Sequence, residues 1–333
     1  MMSIRKKKLI LGMPRTFSTY KVIIDRLEQL GYEVIDISYD NDFFKYKNVW
    51  DRFINLIRKI FLNDKGYKSK LRFESLGSSI LNKLKQIDGK ADYCLLIRAD
   101  IYPRNVIKEI SLKSNKTIAY QWDGVDRFPA IKELIDLFDR FYIFDKKDAN
   151  LIDENYLETT NFYFNHLYDK KVTPKINTFF FVGSFIRSRW DEIRATSNLI
   201  VQNLGIPNFI LYTNDETIIN KNSCEGISFI TTPISYEETI KLTLEHHILV
   251  DFLTKVHAGL SFRIFEAIGY KKKLITNNPD VKNYDFYHPD NIYILGEENR
   301  TINDFVKSPY FDIEKEIISK YNFDNWIKNI LEN

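Results

Sequence analysis

The sequence has little cysteine and no long apolar segment. Its 333 residues include two cysteines, Cys94 and Cys224, which lie far apart and have no neighbour at metal-ligand spacing. This excludes a disulfide framework and favours a reducing cytoplasm. The apolar run Leu9–Met13 ends at Pro14 and is too short for a signal-peptide core. No apolar run approaches the roughly 20 residues of a membrane-spanning helix. We therefore expect a cytoplasmic protein.

An excess of charge of one sign is also missing. The chain has 48 Lys and Arg against 45 Asp and Glu, for a formal net charge of +3. This balance excludes a strongly basic nucleic-acid binder, so no nucleic-acid partner is expected. The first strand-to-helix turn carries Pro14 and Arg15 in place of a G-x-G-x-x-G pattern, which disfavours a dinucleotide-dependent oxidoreductase. Neither a metal nor a resident cofactor is predicted.

The composition and length favour two packed domains. Hydrophobic residues make up 44% and aromatic residues 15% of the chain, which is enough for folded cores. A length of 333 residues suits two domains of ordinary size. Apolar periodicity is lost near the stretch YDKKVTPKINT, where the boundary is expected. We predict a first lobe over residues 1–172, a second over 173–312 and a helical tail over 313–333.

Strand-like and helix-like segments alternate in both lobes. Short runs rich in β-branched and aromatic residues predict strands. These runs are 7–13, 32–39, 93–99, 116–122 and 140–145 in the first lobe, and 178–185, 208–214, 226–232, 246–253, 272–278 and 291–295 in the second. Helices are predicted over 16–31, 129–139 and 260–270, and the tail is predicted to be helical throughout. Such alternation predicts parallel sheets covered by helices, which is a Rossmann-like α/β architecture for each lobe.

Residues 40–90 are less regular. Two segments in this range, YKNVWDRFINLIRKIFL and SLGSSILNKLKQI, predict two helices inserted before the third strand. They form either a packed flap or a basic amphipathic surface that contacts an acceptor or a membrane.

The stretch HAGLSFRIFEAIG follows a predicted strand and opens a helix at about residue 260. A helix start at this edge of a parallel sheet presents backbone N–H groups and the positive end of the helix dipole to an anion. Gly259 and Leu260 form the turn, Ser261 can cap the helix or donate to phosphate oxygens, and Arg263 can contact phosphate bidentately. The alternative is an ordinary cap followed by a surface arginine.

Glu266 lies one helical turn after Arg263. Its carboxylate can accept hydrogen bonds from both hydroxyls of a ribose, or it can form a surface pair with the arginine. His257, before the turn, is either a contact to phosphate or to a transferring sugar, or a structural residue. Lys271–Lys273 predict a solvated helix end without a catalytic task.

Several of these segments resemble the GT-B glycosyltransferases, in particular bacterial enzymes of lipopolysaccharide or capsular polysaccharide synthesis. The segments are FFFVGSF, the stretch from His257 to Asn278, and YDFYHPDNIYIL. The resemblance implies two Rossmann-like lobes whose parallel sheets face a cleft, with acceptor in the first lobe and nucleotide-sugar in the second. It also implies that the C-terminal helix crosses back to the first lobe, and that no metal is needed.

The resemblance also assigns residues near the donor. The loop after FFFVGS would face the donor diphosphate, where Gly183, Ser184, Arg187 and Arg189 could bind it; ordinary surface arginines are the alternative. A retaining branch of the family carries two glutamates separated by seven residues. Glu266 matches the second of these, whereas Ala258 stands at the position of the first and has no carboxylate. The stereochemical outcome is therefore not predicted.

The first lobe offers candidates for a general base. Asp100 and Asp123 follow predicted strands, and an inverting transfer needs a group that removes the acceptor hydroxyl's proton. Each can instead cap a helix or pair with Arg98 or Arg127.

Together these features predict a glycosyltransferase that moves a sugar from a nucleotide-sugar to a hydroxyl of a cell-envelope glycan or glycolipid. Contact with the inner face of the cytoplasmic membrane through a basic first-lobe surface is also expected. Two alternatives remain open: a nucleotide-sugar epimerase of the same fold, and a two-lobed sugar- or nucleotide-binding protein.

Overall fold

The chain forms two compact units. A computed structural model describes residues 5–39, 50, 53–54, 80–152, 155–222, 224–254, 258–297 and 300–332. The units comprise Met1–Thr159 and Thr160–Asn333. The division thus falls 13 residues before the predicted one, because 172 − 159 = 13. Most of the inserted segment at 40–90 lies outside the described residues, so the predicted flap stays a prediction.

The first unit contains a parallel sheet in the order β2-β1-β3-β4-β5-β6. Its strands are β1 (Lys8–Gly12), β2 (Glu33–Asp36), β3 (Tyr93–Ile97), β4 (Thr117–Gln121), β5 (Arg140–Ile143) and β6 (Leu157–Glu158). The five predicted strands are confirmed. The sixth, with two exposed residues, was not predicted because it is too short to show a pattern.

The helices of the first unit agree less well with the sequence. Helices α1 (Thr19–Gln29) and α2 (Arg104–Leu112) cover the sheet, and residues 80–85 are also helical. Gly31, with φ of 94°, follows α1 as predicted. The predicted helix at 129–139 is wrong: this segment forms two 3₁₀ helices, Pro129–Glu133 and Ile135–Leu137. Leu134 between them has φ of −116°, which interrupts a continuous α-helix.

The second unit contains a parallel sheet in the order β12-β11-β10-β7-β8-β9. Its strands are β7 (Lys175–Ser184), β8 (Ile206–Tyr212), β9 (Ile227–Ile230), β10 (His246–Asp251), β11 (Lys273–Thr276) and β12 (Ile292–Ile294). All six predicted strands are confirmed. Numbered from β7, the order is the 3-2-1-4-5-6 pattern of Rossmann folds. The chain therefore adds strands toward one edge of the sheet from β7 to β9 and toward the other edge from β10 to β12. The direction of winding reverses between β7 and β10.

Seven helices of the second unit have assigned bounds among its described residues. They are α3 (Arg187–Gln202), α4 (Glu216–Lys221), α5 (Tyr236–Glu245), α6 (Phe262–Gly269), α7 (Ile302–Lys307), α8 (Lys315–Lys320) and α9 (Phe323–Glu332). The predicted helix at 260–270 corresponds to α6. The tail is helical only from Lys315, in two pieces, so its predicted continuous helix is wrong in part.

The beginning and the end of the second unit pack together. Tyr163 N–H donates to Tyr321 O at 3.0 Å, and Phe323 N–H donates to Tyr163 O at 2.8 Å. The indole Nε1 of Trp326 donates to Thr160 O at 2.9 Å, and its ring lies 4.4 Å from that of Phe162. These contacts explain why residues from 160 onward belong to this unit. The predicted crossing of the tail to the first lobe stays a prediction.

Two lysines that were expected in solvent are buried. Lys272 and Lys273 are 6% and 3% exposed. The Nζ atom of Lys272 donates to Leu244 O at 2.5 Å, and that of Lys273 donates to Phe305 O. Each ammonium thus meets a carbonyl in the last turn of a helix, α5 or α7, where the dipole is negative. Burial lowers the pKa of both lysines to about 8. The predicted solvated helix end holds only for Lys271, which pairs with Asp312.

Candidate functional site

The carboxyl ends of β7 and β10 lie side by side at the point where the winding of the second sheet reverses. In open parallel sheets this is where ligands bind, because the connections diverge and leave a crevice. Helices α3 and α6 begin just beyond these two strands. The sequence-predicted donor residues therefore lie on two neighbouring strand-to-helix connections, one after β7 and one after β10.

Arg263 joins the two connections. Its Nη2 donates to Val182 O of β7 at 2.5 Å, and its guanidinium carbon lies 4.8 Å from the centre of the Phe181 ring. Its Nη1 lies 3.6 Å from Asp251 Oδ1. The side chain keeps 17% exposure. The arginine is thus anchored at the sheet edge and still reaches solvent there.

Arg189 makes a second link. Its Nη2 donates to Ser184 O at 3.3 Å and its Nη1 to Phe252 O at 3.2 Å. It therefore holds the end of β7 against the residue after β10. Arg187, at the start of α3, is exposed, and no ion pair joins it to another described residue. Gly183 is the penultimate residue of β7, and a Cβ at this position would lie 3.2 Å from the Phe181 ring.

Asp251 is the residue of this edge that the sequence reasoning did not single out. It ends β10, is 3% exposed, and accepts from Ser261 Oγ at 2.7 Å and Thr276 Oγ1 at 3.4 Å. Its partners are therefore Arg263 of α6, Ser261 just before α6, and Thr276 of β11. The sequence signal for Asp251 was an aspartate at the end of an apolar strand-like run. The same pattern identified Asp100 and Asp123.

Ser261 occupies the N-cap position of α6, but its side chain makes no capping hydrogen bond. The hydroxyl donates to Asp251 instead. The predicted serine cap is therefore wrong, and the predicted contact to phosphate stays a prediction. An uncapped start leaves the positive end of the helix dipole to be satisfied by another group.

Glu266 is buried, with 4% exposure, and its Oε1 accepts from Tyr236 Oη at 2.5 Å. No described residue donates to its second oxygen, Oε2. Burial raises the pKa of Glu266, and the Tyr236 hydrogen bond and the Arg263 charge oppose that rise in part. The alternative of a surface pair with Arg263 is wrong, because Glu266 faces inward and Arg263 pairs with Asp251. Ribose binding by Glu266 stays a prediction.

Two asparagine side chains hold the backbone of the turn before α6. Gly259 and Leu260 are buried, and Leu260 O accepts from Asn161 Nδ2 at 2.9 Å. Ala258 O accepts from Asn278 Nδ2 at 3.0 Å. The Leu260 side chain belongs to the hydrophobic core, so any part that it takes in ligand binding is limited to its backbone. His257 lies outside the described residues, and its predicted role is not tested.

In the first unit, both candidate bases are paired with arginines. Arg98 binds Asp100 bidentately, with Nε to Oδ1 at 2.7 Å and Nη2 to Oδ2 at 2.8 Å. Asp123 accepts from Arg98 at 2.9 Å and from Arg127 at 2.9 Å. Arg98 has φ of 60° and lies over the Phe128 ring. The ion-pair alternative is therefore confirmed, and the structure brings Asp100 and Asp123 together through one guanidinium.

Among the residues described above, no group of three or more His, Cys, Asp or Glu side chains could hold a metal ion. Within the same residues, no helix is long and apolar enough to cross a membrane. The predicted independence of a metal stays a prediction.

Comparison with known proteins gives structural neighbours only. No protein-family model matches the sequence, and no curated protein matches it. A glycosyltransferase from Rickettsia africae ESF-5 is similar in structure, with 12% identity, coverage of 99% of this chain and 100% of that one, and a TM-score of 0.55. An α,α-trehalose-phosphate synthase from Burkholderia xenovorans, in complex with glucose-6-phosphate, has 10% identity, coverage of 96% and 93%, and a TM-score of 0.55.

A third neighbour is an α-glucosyltransferase in complex with UDP and a 13-mer DNA. It has 10% identity, coverage of 98% of this chain and 93% of that one, and a TM-score of 0.54. Identities this low establish the fold alone. The predicted GT-B-like fold class, with two Rossmann-like α/β units, is confirmed by these neighbours and by the two six-stranded parallel sheets.

Proposed function

We propose that the chain is a glycosyltransferase that uses a nucleotide-sugar donor. One observation carries this proposal: the winding-reversal edge of the second sheet presents the uncapped start of α6, with Arg263 anchored beside it and partly exposed. Backbone amides and a guanidinium at one helix start suit a diphosphate. Structural neighbours include a glycosyltransferase and an α-glucosyltransferase in complex with UDP, which supports the same activity in this chain.

The donor would be held in two parts. The diphosphate would contact the first turn of α6 and Arg263, with Arg187, Arg189, Gly183 and Ser184 from the other connection close to the same edge. These groups would stabilise the negative charge that develops on the departing nucleotide. One turn further along α6, Glu266 Oε2 would accept a ribose hydroxyl, since Oε1 is already engaged by Tyr236.

We assign the general base to Asp123 in preference to Asp100. Asp100 is 8% exposed and gives both oxygens to one guanidinium, which occupies the lone pairs that would receive a proton. Asp123 is 21% exposed, and each of its oxygens accepts from a different arginine. Asp100 would then fix Arg98, and Arg98 would fix Asp123. His257 is retained as a candidate contact to the transferring sugar.

The acceptor that we propose is a hydroxyl of a cell-envelope glycan or glycolipid. The sequence resemblance to enzymes of lipopolysaccharide and capsule synthesis supports this acceptor. Contact of the first unit with a membrane surface is proposed on Trp50 and Phe53, which are 72% and 51% exposed and lie one helical turn apart. Exposed aromatic side chains at this spacing suit a lipid interface.

A nucleotide panel tests the activity. The purified protein is titrated calorimetrically with UDP, GDP, ADP and CDP and with free sugars, and the sugar derivative of the nucleotide that binds is then incubated with and without a glycolipid acceptor. Transfer only in the presence of acceptor supports the proposal, and we expect the same rate with excess EDTA. Conversion of the donor sugar without acceptor would indicate an epimerase. Binding of free sugar alone would indicate a binding protein.

A further inference from the structure

The connection after β4 carries Asp123, the proposed base, on a short turn over residues 122–128. The N–H groups of Arg127 and Phe128 both donate to Gly124 O, at 3.1 and 3.3 Å, and close this turn. The side chain of Arg127 also donates to Asp123 Oδ1 at 2.9 Å. Because Asp123 is bonded to a residue of its own turn, the place of its carboxylate depends on the place of the turn.

A buried carboxylate from the next connection holds the middle of this turn. Asp148 lies in the 3₁₀ helix Lys146–Leu151, which follows β5, and is 3% exposed. Its Oδ2 accepts from Val125 N–H at 3.0 Å. Val125 is fully buried, and its side chain belongs to the hydrophobic core of the first unit. One hydrogen bond thus joins the connection after β4 to the connection after β5, two residues from Asp123.

Asp148 carries its charge without an ion pair to any other described residue. Asp145, on its own connection, and Asp126, on the turn, oppose the charge, whereas Lys132 of the 3₁₀ helix Pro129–Glu133 favours it. Burial, with a smaller effect of the two aspartates, raises the pKa of Asp148 to about 6, although the bond from Val125 lowers it in part. The carboxylate is therefore charged at pH 7.5 and neutral at pH 5.

An uncharged side chain could make the same contact at lower cost. The amide oxygen of an asparagine would accept from Val125 N–H without a buried charge, which is expensive when it is unpaired. A carboxylate accepts more strongly, because charge-assisted hydrogen bonds are roughly twice as strong as neutral ones. Only the carboxylate makes the strength of the bond depend on pH.

We infer that Asp148 is a positioning residue of the proposed transfer reaction: its carboxylate holds the turn that carries Asp123, and its protonation loosens that hold. This inference rests on the proposed function, since it requires that Asp123 acts as the base. It places the control of the base in a residue that contacts the turn and not the base itself.

The pH dependence of kcat tests the inference in wild type, D148N and D126N, with the donor and glycolipid that the nucleotide panel identifies. For wild type, we expect kcat to fall about fivefold or more below a midpoint near pH 6. D148N cannot gain a proton, so its kcat at pH 7.5 should stay within about threefold of wild type, without a step near pH 6. D126N removes a neighbouring negative charge and should move the midpoint to lower pH.

Hydrogen exchange measures the hold on the turn without any substrate. Exchange of residues 122–128 is followed by mass spectrometry and corrected for the intrinsic effect of pH on amide exchange. In wild type, protection should fall about threefold or more from pH 7.5 to pH 5, and in D148N it should stay constant. D148A, which has no acceptor for Val125 N–H, should lack this protection at both pH values. Circular dichroism verifies that each variant is folded.

The outcomes separate the two proposals. The same step near pH 6 in D148N and in wild type overturns the role of Asp148 in the reaction, because the step then belongs to another group. A loss of tenfold or more at pH 7.5 in folded D148N does so too. Equal protection of the wild-type turn at pH 7.5 and pH 5 overturns the hold itself. If the wild type transfers no sugar from any donor, the proposed function fails, while hydrogen exchange still decides whether Asp148 holds the turn.

Discussion

Tyr236 and Glu266 form a buried pair in which the phenol donates to the carboxylate at 2.5 Å. The phenol also packs edge-on against Phe164, with ring centres 5.5 Å apart. The pair therefore fixes the one carboxylate that α6 carries, and it does so from the first turn of a different helix, α5. A carboxylate in such a place is costly to keep when it is charged, which is expected of a group retained for binding.

Replacing Glu266 by glutamine should stabilise the protein and weaken nucleotide binding. Burial raises the pKa of Glu266, so the unfolded chain releases this proton at lower pH than the folded protein does. The penalty is complete above the folded pKa and disappears as pH falls below the unfolded value. We expect E266Q to be more stable than wild type at pH 7 and as stable as wild type near pH 4, as measured by urea unfolding. The exposed Glu245, changed to glutamine, is the control and should show no such pH dependence.

Replacing Arg263 by alanine should weaken binding of the diphosphate about tenfold or more and leave nucleoside affinity within about twofold. The guanidinium touches Val182 O, Asp251 and the Phe181 ring, which place it at the start of α6. R263K retains charge but loses the planar fork, and should fall between wild type and R263A. Calorimetry with both ligands checks this. R194A, which removes an exposed arginine of α3, should match wild type, and equal losses for both ligands in R263A would contradict the assignment.

Deprotonation of buried Lys272 should raise the free energy of unfolding of the protein at alkaline pH. Its pKa is lowered from 10.5 to about 8 by burial, so between these values the unfolded chain binds more protons than the folded protein. The free energy of unfolding of wild type, relative to K272M, should therefore rise by about 1–2 kcal/mol between pH 8 and pH 10.5. Urea unfolding at several pH values measures this difference. K271M removes an exposed lysine and should show no slope; a flat difference for K272M would contradict its burial.

Gly269 to alanine should destabilise the second unit by about 1–3 kcal/mol, in spite of alanine's better helix propensity. A Cβ at this last residue of α6 would clash with the ring of Tyr163. That ring cannot easily yield, because the Tyr163 backbone is bonded on both sides to Tyr321 and Phe323. Thermal unfolding checks the loss. The double variant G269A/Y163A should unfold at a temperature closer to Y163A than additivity allows, and strict additivity would contradict the clash.

The strands could be read from the sequence because each combines β-branched and aromatic residues in a run bounded by polar residues. The segment at 129–139 could not, since its composition is that of a helix and only the backbone at Leu134 divides it. The division between the two compact units, which precedes the lysine-rich stretch, could not be predicted from composition for a similar reason. The lysines near residue 170 are a conspicuous change of composition, but Phe162 and Phe164 before them are buried in the second unit.

At the candidate site, residue types could be identified but not their partners. The sequence shows that Arg263 and Glu266 share a helix, yet it does not show that one is paired with Asp251 and the other with Tyr236. Those partners come from β10 and from the start of α5, which are distant along the chain. Likewise, the sequence around Lys272 and Lys273 does not show that their ammonium groups donate to carbonyl oxygens at helix ends. Long-range contacts of this kind depend on the register of the folded sheet.

The bridge between Tyr163 and Asn322 places the first and last parts of the second unit next to each other. The indole of Trp326 adds a second tie at Thr160, so the start of this unit and its last helix hold each other in place. Removal of α9 would therefore also uncover Phe162, whose ring packs against those of Phe323 and Trp326.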